Sequence, residues 1–121
     1  MRARHWLMRT PLWLALVVAC AADGIVSVPP NSGSKSVSIA VGQELRITLG
    51  NVGPAKYESP PQISSSVLTF LRVDIIPPFT PGGPTQQFSF KAVRRGQAVV
   101  HFRRLLGDSL VSFVEDTVRV H

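Results

Sequence analysis

From Ser36 onward the chain alternates apolar and polar residues with a period of two, in short runs broken by glycine and proline. Val37, Ile39 and Val41 alternate with serine and alanine. Leu45, Ile47 and Leu49 alternate with Arg46 and Thr48, and Gly42-Gln43 separates the two runs. Such a period puts one face of an extended segment in a core and the other in solvent. Residues 67–75 form a longer run, with Leu68, Phe70, Arg72 and Asp74 on one face and Val67, Thr69, Leu71, Val73 and Ile75 on the other. Phe88 and Phe90 alternate with Gln87, Ser89 and Lys91; after Arg94-Arg95-Gly96 the pattern resumes with Ala98, Val100 and Phe102. A hairpin is expected there, Gly96 supplying the positive φ of a tight turn. In the last run, residues 111–120, Val111 and Phe113 have the opposite parity to Val118 and Val120. A β-bulge or short loop near Glu115-Asp116 would reconcile them.

No segment beyond the leader carries a helical i, i+3, i+4 stripe. Six or seven short strands with Pro/Gly-rich connections predict an all-β fold, an immunoglobulin-like sandwich of about seven strands. The chain has 121 residues, of which 45% are hydrophobic and 17% charged, so one small domain with an appendage is expected and a core is feasible. The single Cys excludes an intramolecular disulfide and excludes zinc sites built on two or four cysteines.

The appendage is N-terminal. Residues 1–10 hold Arg2, Arg4 and Arg9 and no acid, and residues 11–19 are apolar throughout. A core of about ten apolar residues falls short of the roughly 20 that span a membrane but suits a secretory signal peptide. The run ends in Val17-Val18-Ala19-Cys20, which resembles the bacterial lipobox, so residues 1–19 read as a lipoprotein signal peptide with Cys20 as the lipidated mature N-terminus. Cleavage after Ala21 or Ala22 by the ordinary signal peptidase also fits, because Ala19-Cys20-Ala21 satisfies a small-x-small rule. Residues 20–35 then form the lipidated Cys and a tether, in which residues 25–28 lend a first short strand, and residues 36–121 form the sandwich. The expected location is the bacterial cell envelope, with membrane anchoring through Cys20. Ala21, where inner-membrane lipoproteins of enteric bacteria carry aspartate, directs the outer membrane in a Gram-negative host. Removing residues 1–19 takes away three Arg and leaves 10 basic against 7 acidic residues, a formal charge of +3. So small a surplus, in that compartment and without aromatic residues among the Arg pairs, argues against nucleic acid.

Catalytic groupings are missing from the pattern. His101 and His121 stand apart, Ser64, Ser65 and Ser66 have no His or Lys nearby in sequence, and Asp108, Glu115 and Asp116 lack a calcium-loop spacing. No enzyme activity, metal or cofactor is expected, and the domain reads as a monomer. Three stiffened loops, residues 50–61, 77–84 and 103–108, are the places where a rigid sandwich would bind. Arg94, Arg95, Arg103 and Arg104 admit a second use, as a basic patch toward anionic lipid or polysaccharide, beside plain solvation at a turn and a strand end.

From Val41 onward the order of features resembles the chagasin family of cysteine-protease inhibitors. Val41-Gly42-Gln43-Glu44-Leu45-Arg46-Ile47-Thr48-Leu49 is similar to the family's opening strand, which leads into its first binding loop. Gly82-Gly83, then Phe88-Ser89-Phe90-Lys91-Ala92 and Gly96, resemble the family's glycine-rich second loop, the strand after it and the hairpin turn. Arg104 takes the place of the arginine of the third loop. The first loop here is Asn51-Val52-Gly53-Pro54, without the family's two threonines, and Leu105-Leu106 replace the Pro and aromatic residue of the third. The resemblance implies an immunoglobulin-like fold and a partner that is a papain-like cysteine protease, blocked by loops at residues 51–57, 80–85 and 103–107. It implies that Asn51 and Gly53 shape the inserting loop, that Gly82 and Gly83 let the backbone approach the protease, and that Arg104 makes a rim contact. The alternative from another class is an envelope structural lipoprotein that joins an assembly by a sheet edge, without inhibitory activity.

Overall fold

The computed structural model describes residues 24–30, 35–50, 54–77 and 85–121. These form nine strands and no helix: β1 (Ile25–Val28), β2 (Lys35–Ile39), β3 (Glu44–Gly50), β4 (Lys56–Tyr57), β5 (Gln62–Ile63), β6 (Leu68–Ile76), β7 (Thr85–Ala92), β8 (Gly96–Leu106) and β9 (Ser109–Val120). β4 and β5 are two-residue bridges, so the strands of four residues or more match the expected immunoglobulin-like sandwich. One sheet runs β1-β3-β7-β6. The other runs β2-β9-β8-β4, with β5 also paired to β8. The first two strands divide between the sheets, β1 lying parallel to β3 and β2 parallel to β9.

The alternation of β3 and β7 buries Leu45, Ile47, Leu49, Phe88 and Phe90 against Ile39, Val100, Phe102, Val118 and Val120 of the opposite sheet. Phe102 packs between Phe88 and Phe90, with ring centroids 5.0 and 6.3 Å away at interplanar angles of 57° and 72°. These are the tilted and edge-on geometries that aromatic quadrupoles favour. The turn between β2 and β3 falls where Gly42-Gln43 signalled it, with Gly42 at φ +96°.

Three local expectations are corrected. The segment between β7 and β8 is a crossover between sheets and not a hairpin, since β7 pairs with β3 and β6 while β8 pairs with β9, β4 and β5. Phe88 and Phe90 must face Phe102 across the core, and only strands in opposite sheets allow that. Gly96 does have the positive φ, +145°, and a Cβ there would lie 2.8 Å from Val67 Cγ1. In β6 the register shifts between Phe70 and Arg72, so Leu71 bulges and the inner face continues through Val73 instead of Arg72. The pairing of β8 with β9 passes unbroken through Glu115-Asp116, and the irregularity sits at Arg104/Leu105, opposite Ser112 and Leu110. No bulge is needed at residues 115–116, because Asp116 takes a buried inner position and Val111 and Phe113 point to solvent.

Candidate functional site

Strand register fixes which ends lie together. Gly50 pairs with Thr85 and Thr85 with Ile76, so the strands bracketing residues 51–53 and 78–84 end at one pole, called here the upper. In the other sheet Lys56 pairs with Leu105, and β8 and β9 meet in a Gly107-Asp108 turn at the same pole, with Gly107 at φ +61°. The three segments singled out in the sequence are therefore carried by neighbouring strand ends. Asn51, Gly53, Gly82 and Gly83 themselves lie outside the described residues, as does Cys20.

Arg104 is described, and it is in a strand instead of a loop: it pairs with Tyr57 of β4 and Ser112 of β9. It is half-buried, with Nε shut away from solvent. The segment read as a third loop is the arm of a hairpin, since β8 continues to Leu106 and the connection is only two residues long. Neighbouring Arg103 is tied twice to Glu58, the residue that follows β4. Its carbonyl accepts the Glu58 N–H at 2.8 Å, and its Nη1 lies 3.4 Å from Glu58 Oε2.

Gln86 holds the two sheets together at this pole. Buried at 4% exposure, its Oε1 accepts the Tyr57 N–H at 2.8 Å and its Nε2 donates to the Tyr57 carbonyl at 3.1 Å. It thus joins the strand that follows the first loop to the strand that follows the second, and Tyr57 joins both to Arg104. Sequence reasoning passed over Gln86, although its parity with Phe88 and Phe90 marks it as an inner residue. It also passed over the hairpin's apolar surface: Leu106, Leu110, Val111 and Phe113 are each about half exposed. The opposite parity of Val111 and Phe113 to Val118 and Val120 was the available signal.

The remaining polar groups on the outer face of this sheet form no catalytic unit. Ser64 Oγ accepts the Val99 N–H at 2.8 Å, and His101 lies 3.7 Å from Glu115 Oε2 with its ring against Phe113, centroids 4.9 Å apart and tilted by 50°. Among the described residues no group of three or more metal-ligating side chains occurs. What the pole offers is backbone turns, a buried amide clamp and an apolar hairpin tip, which suit contact with another protein.

No protein-family model matches the chain, and no curated protein matches it. Solved structures do resemble it. The cysteine protease inhibitor EhICP2 from Entamoeba histolytica is similar with a TM-score of 0.65, at 11% identity over 82% of this chain and 97% of that one. Amebosin, known from a solution structure, is similar with a TM-score of 0.55, at 15% identity over 82% of this chain and 98% of its own. The likeness is one of fold: this chain is built as the same all-β, immunoglobulin-like sandwich as a cysteine protease inhibitor, as its resemblance to the chagasin family implies.

Proposed function

We propose that the chain is a lipid-anchored, extracytoplasmic protein-binding domain that inhibits a papain-like cysteine protease by wedging its upper pole into the active-site cleft. The observation that carries the reading is the convergence of three loop-bearing strand ends at one pole, braced by Gln86 and Tyr57, on a fold shared with a cysteine protease inhibitor. The mechanism is occlusion without chemistry. A braced pole loses little conformational entropy on docking, which favours affinity. Asn51, Gly53, Gly82, Gly83 and Arg104 are the contact residues in this reading, and Cys20 carries the acyl anchor.

The test is titration of the chain into papain-like proteases with a fluorogenic substrate. Reversible, competitive inhibition that is lost when Gly82 and Gly83 are replaced by bulky residues supports the reading. Absence of inhibition by the folded chain at micromolar concentration refutes it. One observation favours the assembly reading instead. Among the described residues no strand pairs with the outer edge of β9 before Asp116, and exposed Leu110, Val111 and Phe113 lie along that stretch. A partner that stays bound after all three loops are altered would select it.

A further inference from the structure

The chain enters the sandwich at the lower pole, remote from the loops. The Gly24 carbonyl accepts the Glu44 N–H at 3.0 Å, and β1 then runs parallel to β3 toward the upper pole. Cys20 is four residues earlier, so even a fully extended segment keeps it within roughly 14 Å of Gly24. The crossover that carries Arg94 and Arg95 is at this same pole, because Ala92 pairs with Leu68 and Gly96 with Val120 at the lower ends of their strands.

Cations without a carboxylate partner among the described residues gather here, Arg94 donating a hydrogen bond to Ser66 Oγ. Lys91, Arg94, Arg95 and Arg119 are all exposed, and among the described residues none of them is in an ion pair. Arg46, Arg72 and Arg103 each meet a carboxylate. Glu58, Asp74, Asp108 and Glu115 lie from the level of His101 upward. Of the acids below that level, Asp116 is buried and accepts the Lys35 N–H, Glu44 is engaged by Arg46 and Arg72, and Asp23 precedes the described residues. Val93 adds an exposed apolar side chain beside Arg94. The two arginine pairs noted in the sequence thus belong to opposite poles, and Arg94-Arg95 lies at the one from which the anchor extends.

We infer that the lower pole rests on anionic phospholipid headgroups, Lys91, Arg94, Arg95 and Arg119 facing the bilayer while the loop pole faces away. The inference rests on the reading of Cys20 as acylated. Acyl chains provide the attachment, and the cations decide which end of the domain meets the surface. Each basic residue near an anionic membrane strengthens association roughly fivefold, over a range of about one Debye length.

The test uses the full chain, acylated in its host and reconstituted into vesicles of phosphatidylcholine alone or with phosphatidylglycerol at two parts to one. A dye is placed on Val93→Cys or on Asp108→Cys and quenched by lipid spin-labelled at the headgroup. Stronger quenching at position 93 than at 108 is expected in the anionic vesicles, and the difference should shrink in high salt, in pure phosphatidylcholine and in an Arg94→Gln/Arg95→Gln background. Equal quenching at both positions, or a difference indifferent to salt and to the arginines, overturns the inference. Mass spectrometry of the processed chain reports acylation separately. Should no acyl group be found, the anchor reading falls by itself, and the same chain is pelleted with the anionic vesicles. A loss of roughly thirtyfold in partitioning on Arg94→Gln/Arg95→Gln then upholds lipid binding by the pole, and unchanged partitioning refutes it.

Discussion

Gln86 and Tyr57 exchange two hydrogen bonds across the gap between the sheets, the amide side chain of one meeting the backbone N–H and carbonyl of the other. The side chain does what a neighbouring strand would do, at the end of the sandwich where the sheets part. Through it β7 is tied to β4, and through the pairing of Tyr57 with Arg104 to β8. The bracing of the candidate binding pole thus depends on one buried polar residue.

Gln86→Leu leaves the Tyr57 N–H and carbonyl without these partners, and burying such groups unsatisfied costs about 1–3 kcal/mol each. A loss of about 2–3 kcal/mol in denaturant unfolding is expected, together with faster hydrogen exchange at the Tyr57 amide. Inhibition, if the pole is the binding site, should weaken by more than the unfolded fraction accounts for. Unchanged exchange at Tyr57 would show that the clamp does not brace the pole.

Phe102 makes the opposite kind of contribution. It is fully buried between Phe88 and Phe90, so Phe102→Ala removes a ring that joins the two sheets. The expected loss is about 3–5 kcal/mol, read from a urea transition. A loss below about 1 kcal/mol would mean that the core closes over the vacancy.

The parts legible in the sequence were those in which a local rule has one solution. Leu45, Ile47 and Leu49 had to face a core, Gly42-Gln43 had to break the strand, and Gly96 had to take a positive φ. Period two says that a face is buried without saying which sheet holds the strand, which is why the β7–β8 crossover looked like a hairpin. It is also blind to a single extra residue such as Leu71, whose bulge exchanges the faces of the rest of β6. Arg104 reads as a loop residue from the composition of residues 103–108 and from the family resemblance, yet backbone pairing continues to Leu106 and ends at the Gly107-Asp108 turn. Gln86 was missed because a polar residue at an inner position gives no apolar signal. Of the residues expected to bind, Arg104 alone falls within the described part.

Asp116 gives the fold a pH dependence of known sign. Burial pushes its carboxyl above the ordinary value of 3.8, against the Lys35 N–H that its Oδ1 accepts at 3.0 Å and the Lys35 charge. A raised acid binds its proton more tightly in the folded state, so its contribution is most favourable below 3.8 and is lost as pH rises through the folded value. Glu44 acts oppositely. The Arg46 hydrogen bond holds it below 4.5, so its contribution is present above that value and is lost on acidification. Asp116→Asn keeps an oxygen for Lys35 and removes only the first effect. Relative to wild type the variant should gain stability at pH 7 and lose that advantage toward pH 4, as measured by denaturant unfolding at each pH; an offset independent of pH would exclude Asp116 as the titrating group.

Phe113 separates binding from folding at the hairpin. The residue is 53% exposed, and its ring packs at a tilt against His101 on the outer face of the sheet, away from the core. Phe113→Ala should therefore change unfolding free energy by no more than about 0.5 kcal/mol. The same truncation should weaken a protein partner by about tenfold or more where that ring is buried in the interface. Pairing it with Leu106→Ala tells the two uses of the hairpin apart. Leu106 stands at the tip, next to the Gly107-Asp108 turn, whereas Phe113 lies along the open stretch of β9. A protease cleft entered from the upper pole meets the tip first, so Leu106→Ala should raise the inhibition constant more than Phe113→Ala does. A partner added along the edge of β9 would reverse that order, and calorimetry of both variants against one partner decides between them.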